Sequence, residues 1–185
     1  MKEYFIKYRP FLQFLGIFLI SYLLLIVSYQ YYLAQFDTTN FEVDGFTDFV
    51  ARQTKTVLSF LNYSVELFPS GSDPSVIVQI EGLRIVRIVE GCNAVSVMIL
   101  FAAFILAFSK GLVKTIGFIL FGLLVIHVLN ILRIAILTLG IWKYPEYKHI
   151  LHGVVFPLII YGTVFFLWII WVTKFIKNDT QDPQT

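Results

Sequence analysis

Cys92, the single cysteine of this 185-residue chain, lies in "RIVEGCNAVSVMILFAAFILAF", where an alternating polar and apolar stretch becomes an unbroken apolar run. Two other residues of reactive type stand in similar surroundings: Arg133 in "HVLNILRIAIL" and His152 in "KHILHGVVFP". A thiolate attacks a carbonyl better than a thiol does, and a helix N-terminus, where Cys92 falls, favours negative charge. His152, at the start of another apolar run, can accept the thiol proton and return it to a leaving amine. Arg133 stays protonated and cannot be the base; its guanidinium suits the oxyanion formed when a peptide carbonyl is attacked. His127 and Asn130 precede Arg133 at three-residue steps on nearly one helix face. They read as a supporting polar stripe, with Asn130 orienting Arg133 and His127 structural rather than catalytic. Each residue also has a plain reading. A lone cysteine packs, an interfacial histidine solvates, and an arginine snorkels.

The elements that must position these groups are set by the solvent. Hydrophobic residues make up 58% of the chain, which marks an integral membrane protein. A helix crosses a hydrocarbon core of roughly 30 Å with about 20 apolar residues. Stretches near 11–34, 92–109, 115–141 and 153–173 meet that requirement. The first has too long an apolar run for a secretory signal and is followed by no small-residue cleavage site, so it is expected to remain as an anchor. Basic residues in short flanks stay in the cytoplasm. Lys2, Lys7 and Arg9 precede span one, Lys110 and Lys114 join spans two and three, and Lys174 and Lys177 follow span four. The opposing loop "KYPEYKH" carries Lys143 and Lys148, offset in part by Glu146. Both termini are therefore expected inside. The net charge of +2 is small and its basic residues are scattered, which leaves no nucleic-acid footprint.

Between spans one and two, residues 35–91 form the extracytoplasmic segment. Phe46, Phe49, Val50, Val57, Phe60, Leu61, Val65 and Phe68 recur at helical steps with Asp48, Arg52 and Lys55 between them, which predicts an amphipathic helix over 46–68. "PSGSDP" breaks the chain, and the alternation in "SVIVQIEGLRIVRIVE" predicts a β-hairpin over 75–90 turning at Glu81 and Gly82. The expected fold is a single all-α membrane domain over 1–185: four transmembrane helices, a small extracytoplasmic amphipathic helix and a hairpin. In that topology Cys92, Arg133 and His152 reach one depth near the outer face. An arginine inside a bilayer needs a partner or a wet cavity, so Arg133 marks an interior polar site.

In order along the chain, "EGCNA", "NILRIAIL" and "LHGVVF" resemble the Cys, Arg and His blocks of the exosortase and archaeosortase membrane proteases. The resemblance covers roughly residues 75–165, and the compact four-span form is most similar to exosortase F. Many family members read Cys-x-Gly, whereas Ala94 holds the Gly position here. The resemblance implies a cysteine peptidase or transpeptidase in the bacterial cytoplasmic membrane, with its site on the extracytoplasmic side and no cofactor. It implies Cys92 as nucleophile, His152 as base and acid, and Arg133 as transition-state stabiliser. Its partners would be exported proteins ending in a short motif, a transmembrane helix and a basic tail.

Two other classes compete. Glu146, His149 and His152 recur at three-residue steps and, with Cys92, include ligand types suited to zinc in a metal-dependent membrane hydrolase. A non-enzymatic scaffold or transporter would instead use the Arg133 stripe to line a path.

Overall fold

The computed structural model describes residues 2–109 and 111–176. The expectations for Lys110, Lys177 and the tail beyond residue 176 lie outside the described residues. Helix α1 spans Lys2–Leu33, α2 Gly45–Phe60, α3 Val95–Ala107, α4 Leu112–Lys143 and α5 Phe156–Ile170. A short helical turn, Lys148–Ile150, and a π-helical stretch, Leu151–Val155, lead into α5, which runs on through π-helical Trp171–Ile176.

Three helical stretches among the described residues are long and apolar enough to cross a bilayer: Lys7–Leu33, Leu112–Lys143 and Pro145–Lys174. The span expected over 92–109 is shorter, the 13 residues of α3. At 1.5 Å per residue it extends about 20 Å, less than the hydrocarbon thickness. Both of its ends have a local cause. Ala94 adopts the left-handed conformation at φ 65°, which stops the helix from extending back to Cys92. At the other end Phe108 leaves helical geometry, and Gly111 sits at φ 71° before α4 begins.

The segment after α1 also departs from expectation. Helix α2 is capped by Asp44, whose carboxylate accepts from the amides of Phe46 and Thr47 at 3.1 and 2.9 Å. It buries Thr47, Val50, Ala51, Thr54 and Leu58, one face of a 3.6-residue period. It ends at Phe60, not at Phe68, because Asn62 turns left-handed at φ 64° and the Tyr63 amide returns to the Leu58 carbonyl at 3.2 Å. Val65–Pro69 then forms strand β1. The hairpin is present as β2 (Ser75–Ile80) and β3 (Leu83–Val89), joined by Glu81 and Gly82, both at positive φ as a two-residue primed turn requires. In place of a lone hairpin there is a three-stranded antiparallel sheet in the order β1-β2-β3, with Val65 opposite Ile80 and Val78 opposite Val86. A two-stranded hairpin is marginal by itself, and the added strand supplies the missing apolar pairing.

Two cores hold the molecule. Val50, Leu58, Val78, Ile80 and Ile88 pack with Ile134 and Ala135, fixing α2 and the sheet on the part of α4 that carries Arg133. Phe101, Ile105, Phe118, Ile126, Val164, Leu167 and Trp171 join α3, α4 and α5. Where α3 meets α4, Gly122 faces the ring of Phe101, and a Cβ there would overlap it. Small residues allow this close approach between apolar helices.

Candidate active site

Cys92 ends a 3₁₀ turn, Glu90–Cys92, that connects β3 to α3. Its neighbours fix that turn. The Tyr29 hydroxyl donates to Glu90 Oε1 at 2.8 Å and accepts from Asn93 Nδ2 at 3.0 Å. Asn93 is 1% exposed; its amide also donates to Thr47 Oγ1 at 3.1 Å, and its Oδ1 accepts from the Val95 amide at 2.9 Å. One buried asparagine therefore ties α1 and α2 to the start of α3. Satisfying every polar atom of such a group is what makes its position unique.

Helix α4 grips the turn from the other side. Asn130, fully buried, donates from Nδ2 to the Cys92 carbonyl at 2.8 Å. Its Oδ1 accepts from Arg133 Nη1 at 3.2 Å. Asn130 thus links the backbone of Cys92 to the guanidinium in a single relay. Arg133 Nε is buried with no partner among the described residues, an uncompensated polar group next to the cleft.

Cys92, Arg133 and His152 all line one cleft of about 810 Å3. Cys92 is half-buried and His152 exposed; His152 sits in the π-helical stretch Leu151–Val155, an irregularity that often accompanies function. The apolar wall includes Ile134, Leu137 and Ile141 of α4 and Ile85, Val86 and Ile88 of β3. Ser70, Ser72, Arg84, Arg87 and Lys148 are also among its lining residues. Sequence reasoning assigned none of these five to the site. Arg84 and Arg87 were visible as charges interrupting an apolar strand, but their partner elements were not. Arg87 donates to Asp73 at 2.9 Å. The hydroxyls of Ser70 and Ser75, together with Arg87, hold the Asp73 carboxyl below the usual carboxylate range.

His127 does not line this cleft. Its Nε2 lies 2.7 Å from Gln53 Oε1, and its ring stacks on Phe49 with centroids 5.8 Å apart. Glu146 and His149 are exposed and do not line it either. Among the described residues no three His, Cys, Asp or Glu side chains gather in a way that could hold a metal ion. The spacing of Glu146, His149 and His152 therefore produces no ligand set.

The cleft offers a thiol, an imidazole and a guanidinium to one volume, a set suited to acyl transfer. No curated protein and no solved structure matches the chain significantly. The family model described as transmembrane exosortase matches residues 9–173, most of the chain. The chain belongs to the transmembrane exosortase family.

Proposed function

We propose that this protein is a cysteine peptidase or transpeptidase that cleaves C-terminal sorting signals of exported proteins, with Cys92 as nucleophile, His152 as general base and acid, and Arg133 as oxyanion stabiliser. Family membership supplies the general activity, processing of sorting signals by a membrane protein. The residue assignments rest on one observation: three reactive side chains from three separate elements line a single cleft.

In the proposed reaction Cys92 Sγ attacks the scissile carbonyl while His152 takes the thiol proton. The carbonyl oxygen becomes an oxyanion, which Arg133 stabilises with a charged donor that water need not reorganise to supply. Collapse breaks the C–N bond, His152 protonates the departing amine, and a thioester remains on Cys92. Water or an amine, deprotonated by His152, then displaces the thiol. Asn130 acts as a positioning residue, since it holds both the Cys92 carbonyl and Arg133.

The distribution of basic residues supports both termini being cytoplasmic in a bacterial cytoplasmic membrane, with the sheet and cleft on the extracytoplasmic side. The helix and sheet that precede the Cys block support the exosortase F subclass. An exported substrate with a short motif, a transmembrane helix and a basic tail would then bring its scissile bond to the depth of Cys92.

The test is co-expression with an exported reporter carrying such a signal from the same genome. Cys92→Ala is expected to insert normally and leave the reporter uncut, while Arg133→Lys lowers the rate by about 10²- to 10³-fold. Normal processing by Cys92→Ala refutes the proposal, and loss of activity to a chelator would favour a metal hydrolase instead.

A further inference from the structure

A second cavity, of about 640 Å3, lies between α4 and α5. Phe121, Val125 and Leu129 line it from α4, while Arg133, Leu137 and Ile141 of the same helix line the reactive cleft. These six positions follow one another at four-residue steps, and side chains so spaced make a single ridge on a helix surface. The groove and the cleft therefore share one wall, with a single helical turn, about 6 Å, between Leu129 and Arg133. The α5 wall begins at Leu158, shortly after His152, and runs about 18 Å to Ile170.

The groove is apolar throughout. No charged side chain lines it among the described residues, and its hydroxyl, on Thr163, donates to the Ile159 carbonyl at 2.8 Å. Leu158, Ile159 and Phe166 are exposed along the α5 wall. Gly162 stands among them, and a Cβ there would meet no atom within 4 Å. Its bare backbone lets a second helix approach closely.

We infer that the membrane helix of the exported chain docks in this groove, against α4 and α5, with its closest approach at Gly162. The inference rests on the peptidase reading and adds the surface that receives the substrate's helix. A lipid chain also fits an apolar trough, yet nothing about a lipid chain requires the trough to run into the cleft. A substrate whose scissile segment leads straight into an apolar helix needs both, in that order, along one wall. A helix held in the groove fixes where the attached peptide bond falls relative to Cys92, and such positioning is a large part of catalysis.

The test uses full-length Cys92→Ser protein in cell membranes, which then holds no native cysteine. The probe is the exported reporter of the processing test, made in versions with a single cysteine at each position along two turns of its membrane helix. Oxidation with copper phenanthroline is expected to join Gly162→Cys to reporter positions that recur every three or four residues, the face that a docked helix presents. Leu24→Cys, on the exposed face of α1, should give no product above background. In thiol-intact protein Gly162→Phe is expected to slow processing about tenfold or more, because a displaced helix misplaces the scissile bond. Gly162→Ala should stay within about threefold, as a small residue still admits the helix. Melting temperature and the rate of Cys92 alkylation should be unchanged in both, since the space around Gly162 is open. The absence of any disulfide from Gly162→Cys to the reporter, which is the result if lipid alone fills the groove, would overturn the inference. Disulfides without a helical period, or normal processing by Gly162→Phe, would do the same. So would a Gly162→Cys disulfide between two copies of the protein that excludes the reporter; the groove would then be a dimer interface. If the reporter helix joins Gly162→Cys with the expected period but thiol-intact protein never cuts it, the peptidase chemistry fails and the docking stands.

Discussion

Ala94 pays for the geometry of its neighbour. Two residues beyond the proposed nucleophile, it holds φ 65° and ψ 10°, a conformation that costs an L-residue roughly 1–2 kcal/mol relative to the right-handed helix. Glycine adopts it without that cost, which gives a physical reason for the Cys-x-Gly pattern from which this chain departs. Ala94→Gly is therefore expected to raise stability by about 0.5–1 kcal/mol after the entropy of the more flexible unfolded glycine is counted. Thermal unfolding of the purified protein checks this, and a lower melting temperature would mean that the left-handed turn is not present. The three residues that meet at the cleft were legible in the sequence because Cys92, Arg133 and His152 are rare types within or beside apolar runs. Asn130 was legible by its three-residue step to Arg133, and the relay from Arg133 through Asn130 to Cys92 gives that stripe its physical content. His127 shares the stripe but turns to Gln53 of α2. Tyr29 and Thr47 carried no signal, since a tyrosine and a threonine at helix positions look ordinary until the fold brings both to Asn93.

At the scale of elements, the hairpin was readable because strict alternation and a Glu-Gly turn are local signals. The end of α2 and the existence of β1 were not. Val65 and Phe68 continue a helical spacing from Phe60 and Leu61, and only pairing with β2 draws them into a strand. The length of α3 was hidden in the same way, because hydropathy extends past both of its ends while backbone conformation does not. Contact between α3 and α4 depends on the missing side chain of Gly122. Filling that site overpacks the Phe101 ring, so Gly122→Ala is expected to destabilise the protein by about 1–3 kcal/mol. Adding Phe101→Leu should recover most of the loss, as volume is returned to the same contact. Unchanged thermal stability in Gly122→Ala would show that the two helices do not meet there.

The whole molecule combines an apolar bundle with a small sheet fastened to one end of α4. Membrane character, helical class and family blocks were all legible, since they depend on composition and short motifs. The convergence of three elements on one cleft was inferred from matched depth alone, and depth cannot specify which face a side chain takes. Packing of Ile134 and Ala135 against the sheet core sets the rotation of α4, and that rotation brings Arg133 to the cleft that Cys92 lines. The central claim is that this cleft forms an acyl bond to sulfur. It is tested most directly by trapping the protein with a cognate exported substrate and analysing Cys92-containing fragments by mass spectrometry. The account predicts a hydroxylamine-labile substrate adduct on Cys92 that is absent from Cys92→Ala. Substrate cleaved at the usual rate with no adduct on that sulfur would contradict it.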